Sequence, residues 1–388
     1  MAEFLTVREY LRELVCATLE KRDPEPVPKD ISIRDLVDIG AKSQIQYLIY
    51  NSLIKVVDEQ NEAYELIKQR LSYSTFKTFV QVMAASKIAE TFEKNNIRFQ
   101  ILKGTIMKKI YPSPEMREMS DIDLVVYDEN LDRAAEVLES MGFQNHGLKK
   151  HHMIFSKDKK LVVEVHWCLF DENVGQIQHM YFKDNFRARL KEGTGYTYEF
   201  SKEDFYVYMI AHMAKHFFET GCGIRNLIDI YIYLNKYEKE MNREYLISEL
   251  KKCKIDEFEK NMRELSYVWL DNRPCSDFHE KLFAYMLDSG IYGKTENGIW
   301  GQLAKETTND NSSFKLHYYF PSIKFMREKY KWLKRYPFLL PIAWVIRGVS
   351  GFSNKQSRDH AQNFENSGDA KIKEMLDIYH RLNLDFRK

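Results

Sequence analysis

Apolar residues recur at three- and four-residue spacing through residues 7–19, 33–57 and 64–92. That period predicts a helical N-terminal region over residues 1–95. Pro24-Glu25-Pro26-Val27-Pro28 predicts a loop between its first two helices. The pattern changes near Asn95. Residues 97–102 read as a short strand ending at Lys103-Gly104, and residues 105–111 as one or two helical turns broken by Pro112 and Pro114. Residues 122–127 form the next expected strand. Residues 131–141 form an amphipathic helix closed by Gly142 at a C-cap position. Residues 152–155 and 161–167 read as a strand pair, with Lys157-Asp158-Lys159-Lys160 as their turn. Residues 96–190 therefore predict an α/β unit with a small mixed sheet. The helical period returns near Glu203 and persists, giving a C-terminal helical domain over residues 191–388. The expected fold class is α+β, in three parts.

Composition narrows the function classes. The 388 residues are 44% hydrophobic and 30% charged, with 58 basic against 57 acidic residues and a net charge of +1. Such a balance gives no basis for a nucleic-acid-binding tail, so a long nucleic acid is not the expected partner. Cys16, Cys168, Cys222, Cys253 and Cys275 are odd in number, scattered and without a CxxC pair. This excludes a disulfide framework or cysteine zinc site from the expectation and points to a reducing, cytoplasmic setting. The first residues hold no long apolar run, so no signal peptide is expected. The run PFLLPIAWVIRGV over residues 337–349 is too short and interrupted to span a bilayer. It follows the basic, aromatic stretch 324–335. Two readings are open for residues 320–350: a buried helical hairpin of the last domain, or a peripheral anchor on a membrane surface.

The candidate chemistry begins at Ser120-Asp121-Ile122-Asp123-Leu124. Two residues apart on a strand, Asp121 and Asp123 share a face while Ile122 and Leu124 turn toward the core. Adjacent carboxylates repel unless a cation or donors lie between them, and Mg²⁺ suits an all-oxygen site. Glu164 sits between Val163 and Val165 on another expected strand and needs a partner or an exposed face. If the two strands are neighbours, Glu164 completes a carboxylate triad able to hold two divalent ions for in-line transfer at phosphorus. Upstream, Lys103-Gly104-Thr105 lies at a strand-to-helix turn, where glycine admits a phosphate and Lys103 and Thr105 add a charge and a donor.

Several further residues carry paired readings. Arg117 precedes the aspartates and is either a triphosphate contact or an exposed loop arginine. His166 shares the face of Glu164 and either orients a neighbouring carboxylate or is a satisfied half-buried histidine. Lys149, Lys150, His151, His152, Lys157, Lys159 and Lys160 form either a phosphate cluster or a solvated hairpin. His212 and His216 are four apart on one helix face, but Met213 stands where a zinc-hydrolase glutamate would be. Lys215 and His216 are candidates to reach a nucleotide from the helical domain. Arg225 and Asp229, also four apart, suggest a structural ion pair.

Taken together, Leu102-Lys103-Gly104, Tyr111-Pro112, Arg117, Asp121-Ile122-Asp123-Leu124, Gly142-Phe143, His152, Phe155 and Glu164-Val165-His166 resemble the uncharacterised bacterial nucleotidyltransferase family of the DNA polymerase β-like superfamily. The run from His212 to His216 and the stretch from Gly223 to Asp229 resemble the helical part of that family. The likeness covers most of residues 70–235. It implies a minimal nucleotidyltransferase domain flanked by helices, using a nucleoside triphosphate with two Mg²⁺ ions, or Mn²⁺ in their place. By that resemblance Asp121, Asp123 and Glu164 ligate the metals, and Gly104-Thr105 stands where the superfamily carries Gly-Ser or Gly-Gly against a phosphate. The implied reaction moves a nucleotidyl group to an acceptor hydroxyl on a small molecule or protein. Two alternatives remain: a nucleotide-binding module without turnover, and a membrane-surface component of envelope polysaccharide synthesis.

Overall fold

The computed structural model describes residues 2–149, 151–158, 161–172, 175–294, 297–306, 318–353, 355–384 and 386. Three N-terminal helices, α1 (Ala2–Glu20), α2 (Ile33–Ser43) and α3 (Gln46–Leu53), precede the long α4 (Tyr64–Lys94). The central unit then runs β1 (Phe99–Ile101), α5 (Lys103–Lys108), β2 (Ile122–Val126), α6 (Leu131–Ser140), β3 (Gln144–Lys149), β4 (His152–Lys157), β5 (Leu161–His166), α7 (Gln176–Phe182), β6 (Ala188–Leu190) and β7 (Thr197–Phe200). Helices α8 (Lys202–Thr220), α9 (Arg225–Tyr237), α10 (Arg243–Lys252), α11 (Asp256–Leu270) and α12 (Asp277–Ser289) follow, with further helices to Leu382. Gly142 ends α6 at φ +85°, a conformation glycine adopts without Cβ strain.

The seven strands form one mixed sheet in the order β3-β4-β5-β2-β1-β7-β6. The pairs β2–β5 and β1–β7 are parallel; the others are antiparallel. Strand alternation gives the sheet two unlike faces. Ile122, Leu124, Val126, Val163, Val165 and Phe155 turn to one side and pack beneath Ile88 and Phe92 of α4 and Leu138 of α6. Asp123, Val125, Glu164 and His166 occupy the other side. There Val125 and Leu102 join a second core that runs from Leu11 and Leu48 through Tyr206 and Phe217 to Tyr379 and Phe386. The first helices and the last thus share one apolar core, with the chemistry-bearing sheet face against it.

Three strands were not foreseen from the pattern. β3 is an exposed edge, Gln-Asn-His-Gly-Leu-Lys, without apolar alternation. β6 and β7 have three and four residues, too short for a period to register.

Candidate functional site

Parallel pairing of β2 with β5 sets Asp123 directly beside Glu164 and Val125 beside His166. The β4–β5 hairpin pairs Lys157 with Leu161 and, stepping outward, His152 with His166. One donor atom each from Asp123, Glu164 and His166 lies within 4.8 Å of the other two, and the same holds for His151, His152 and His166. Asp121 lies just ahead of β2.

Lys103 reaches this group through an unusual backbone. The Leu102 N–H donates to the Asp123 carbonyl at 3.0 Å, tying the end of β1 to β2. Lys103 then takes φ +44°, a left-handed conformation uncommon for a long side chain. Its Nζ donates to Asp123 Oδ1 at 2.8 Å, and His166 Nε2 lies 2.9 Å from the same oxygen. An ionised carboxylate only accepts, so His166 carries its proton on Nε2.

The charges are unevenly compensated. Burial opposes ionisation of Asp123, but Lys103 and the His166 hydrogen bond outweigh it and hold its carboxyl well below the usual range. Asp121 is pushed up to about 6 by burial and by Asp123, with Lys103 and Arg225 opposing. Glu164 is pushed up to about 7 by burial, then by Asp123 and Asp121. Burial lowers His151 to about 3 and His152 to about 4, and lowers His166, so these imidazoles are neutral at pH 7. Asp121, Asp123 and Glu164 together offer an oxygen-rich donor set, and such a set fits a divalent ion.

Helix α8 covers one side. Lys103 and Asp123 both act on the buried Tyr208 hydroxyl, whose pKa burial raises. Lys215 is buried and bears on His151 and His166. His216 is exposed and instead faces His212, Nε2 to Nε2 at 3.2 Å. His212, half-buried and within reach of the Lys103 charge, has its pKa driven well down by burial.

The other expected residues are placed elsewhere. Gly104 is needed for a close approach, but by Met119: a Cβ at residue 104 would lie 3.0 Å from the Met119 Cβ. Thr105 is buried, its hydroxyl 3.7 Å from Met119 Sδ. Arg117 is neither exposed nor aimed at the carboxylates. It is buried in a two-pronged bond to Asp229, Nε to Oδ1 at 2.6 Å and a terminal nitrogen to Oδ2 at 2.8 Å. Tyr111 donates to the same carboxylate at 2.8 Å. The ion pair expected between Arg225 and Asp229 is thus made by Arg117. Lys157 donates to the Met141 carbonyl at 2.8 Å, and Lys150, Lys159 and Lys160 lie outside the described residues.

Sequence reasoning missed His152, Tyr208 and Arg225 as neighbours of the carboxylates. His152 was nearly legible: a turn over residues 157–160 would set it opposite Val165, one residue from the observed pairing with His166. Arg225 had no local signal. It hydrogen-bonds Gln44 and sits near enough to Asp121 to favour its ionised form. Its Nε is buried without a hydrogen-bond partner among the described residues. Gln44 also donates to Ser120 at 2.9 Å, and Ser120 is 2.7 Å from the Tyr292 hydroxyl.

A carboxylate pair bridged across parallel strands, with a lysine on one member, suits chemistry on a metal-bound polyphosphate. A family model described as an uncharacterised nucleotidyltransferase matches residues 29–271, well over half of the chain. The chain belongs to this family. No curated protein and no solved structure matches it. The α+β architecture with its mixed sheet is that of a nucleotidyltransferase domain. The protein is accordingly a transferase with a general nucleotidyl-transfer role and a nucleotide substrate. Nucleotidyltransferases usually employ divalent metals and a nucleoside triphosphate. A cavity of about 700 Å³ lies away from this chemistry, on the outer side of α4 between Phe76, Val80, Met141 and Phe143.

Proposed function

We propose that the protein transfers a nucleoside monophosphate from a triphosphate to an acceptor hydroxyl, with Asp121, Asp123 and Glu164 as the ligands of two Mg²⁺ ions (Mn²⁺ substituting). The observation that carries this reading is the register that sets Asp123 beside Glu164 while Lys103 holds Asp123 ionised. Bound divalent ions would neutralise phosphate charge and favour departure of pyrophosphate.

The chain's own groups account for the remaining steps. Lys103 and His166 fix the Asp123 carboxylate in orientation. Glu164 would also help to accept the proton of the attacking hydroxyl. The acceptor oxygen bonds to the α-phosphorus as the bond to the bridging β-oxygen breaks, and the proton passes to Glu164. Arg225, with an unspent buried donor, and Lys215 supply positive charge for the phosphates. His216 is placed to contribute through His212 at the edge of the site. Gly104 and Thr105 act by packing the turn that presents Lys103, and Arg117 by fixing the loop ahead of Asp121.

One observation favours a second reading, binding without turnover. Asp123 Oδ1 already has two close partners, Lys103 and His166, which can satisfy that oxygen without a metal. Pyrophosphate release from Mg²⁺ and a triphosphate, measured over a panel of hydroxyl acceptors, separates the two. Turnover that vanishes in Glu164→Gln supports transfer. Saturable triphosphate binding with no release for any acceptor supports the binding module.

A further inference from the structure

Residues 318–353 hold seven basic residues and one acidic residue, a net charge of +6, whereas the rest of the chain is net −5. This segment folds on a core of its own in which Met326, Leu333 and Ala343 are buried. The Trp344 indole donates to the Pro321 carbonyl at 2.9 Å, fastening the helix Leu340–Ser353 by one side. Among the described residues, its other side is uncovered. Phe338, in the turn leading into the helix, is 74% exposed; Ile342, Val345 and Val349 are 52%, 66% and 68% exposed. Their spacing of four, three and four places them in one stripe. Tyr336 and Ile346 are also exposed. Lys331, Lys334 and Arg335 are exposed in the turns immediately before the stripe. An apolar stripe of this size on a water-facing helix marks an interaction surface.

We propose that the Phe338–Ile342–Val345–Val349 stripe and the cations of Lys331, Lys334 and Arg335 dock the protein on the surface of an anionic lipid bilayer. Charge complementarity selects this occupant. Basic charge concentrated beside an apolar stripe, on an otherwise acidic chain, is attracted to acidic headgroups while the apolar side chains enter the acyl boundary. The docking lies along the surface, because no helix of the described residues is long and apolar enough to cross a membrane. The inference does not rest on the reading of the carboxylate site.

Co-sedimentation with vesicles tests it. The full chain binds vesicles of phosphatidylcholine mixed with phosphatidylserine, and binds pure phosphatidylcholine about tenfold less or weaker. The pair Ile342→Asp and Val345→Asp lowers binding to the mixed vesicles by about tenfold or more. The set Lys331→Gln, Lys334→Gln and Arg335→Gln removes the preference for phosphatidylserine. Triphosphate binding is unchanged in both variants, so a failed docking test is distinct from a failed nucleotidyl reading. The proposal is overturned if the wild type does not sediment with the acidic vesicles, or if the aspartate pair sediments as the wild type does. It is also overturned if, without lipid, the stripe holds a concentration-dependent dimer that the same pair dissolves, which assigns the surface to a second copy.

Discussion

At the scale of single residues, charge placement separates working groups from structural ones. Arg117, Asp229 and Tyr111 form a buried network whose members satisfy one another. Removing one partner strands the other charge in a low-dielectric interior. Asp229→Ala should therefore lower the unfolding free energy in urea by about 3–5 kcal/mol. Asp121 and Glu164 behave oppositely: burial first, and then the charge of neighbouring carboxylates, raises their pKa values. Protons and a divalent ion compete for these oxygens, so Mg²⁺ affinity should rise with pH through about 6 to about 7. Calorimetric titrations across that range check this, and Glu164→Gln should flatten the upper part of the rise. The same shifts have a consequence for the ion-free protein. Each carboxyl binds its proton more tightly folded than unfolded, so its contribution to stability is present below the ordinary values of 3.8 and 4.5. That contribution is lost as pH climbs to about 6 and about 7.

At the scale of elements, the site was legible wherever strand alternation and a short turn were enough. Asp-x-Asp on one strand and Glu164 with His166 on another needed only a two-residue period, and the β2–β5 pairing then joined them. The hairpin itself was legible, but Lys157 pairs with Leu161 instead of lying in the turn, and that one-residue shift sets His152 beside His166. Arg117 with Asp229 and Arg225 with Gln44 were not legible, because their partners are 112 and 181 residues away. The Lys103-Gly104-Thr105 turn was read as a phosphate cradle, yet its glycine answers to Met119 and its lysine to Asp123. Gly104→Ala should overpack against Met119 and cost about 1–3 kcal/mol in thermal or urea unfolding. Gly348, on an exposed helix with nothing within 4 Å of an added Cβ, is the control. There Gly348→Ala should gain about 0.5–1 kcal/mol.

At the scale of the whole molecule, the family match ends at residue 271, but the core does not. Tyr379 donates to the Phe217 carbonyl at 2.9 Å and packs against Tyr285, while Ile372, Leu376 and Leu382 are buried in the same core. Through α8, which carries Phe217 along with Tyr208 and Lys215, the C-terminal helix Asp369–Leu382 supports one wall of the site. A chain ending at residue 367 should therefore lose its cooperative thermal transition, not merely its last helix. Retention of a sharp transition near the wild-type temperature would show that this wall stands without its C-terminal support.

The central claim is that Asp123, set beside Glu164 and held ionised by Lys103, anchors a metal-bound triphosphate. The most direct measurement is calorimetric binding of a non-hydrolysable nucleoside triphosphate, with and without Mg²⁺, to the wild type and to Asp123→Asn. The account predicts binding by the wild type that requires Mg²⁺. It also predicts a loss in Asp123→Asn greater than the roughly 10–100-fold that removing an outer-shell partner costs. Equal affinity in the two proteins, or no binding by the wild type with Mg²⁺ present, would contradict it.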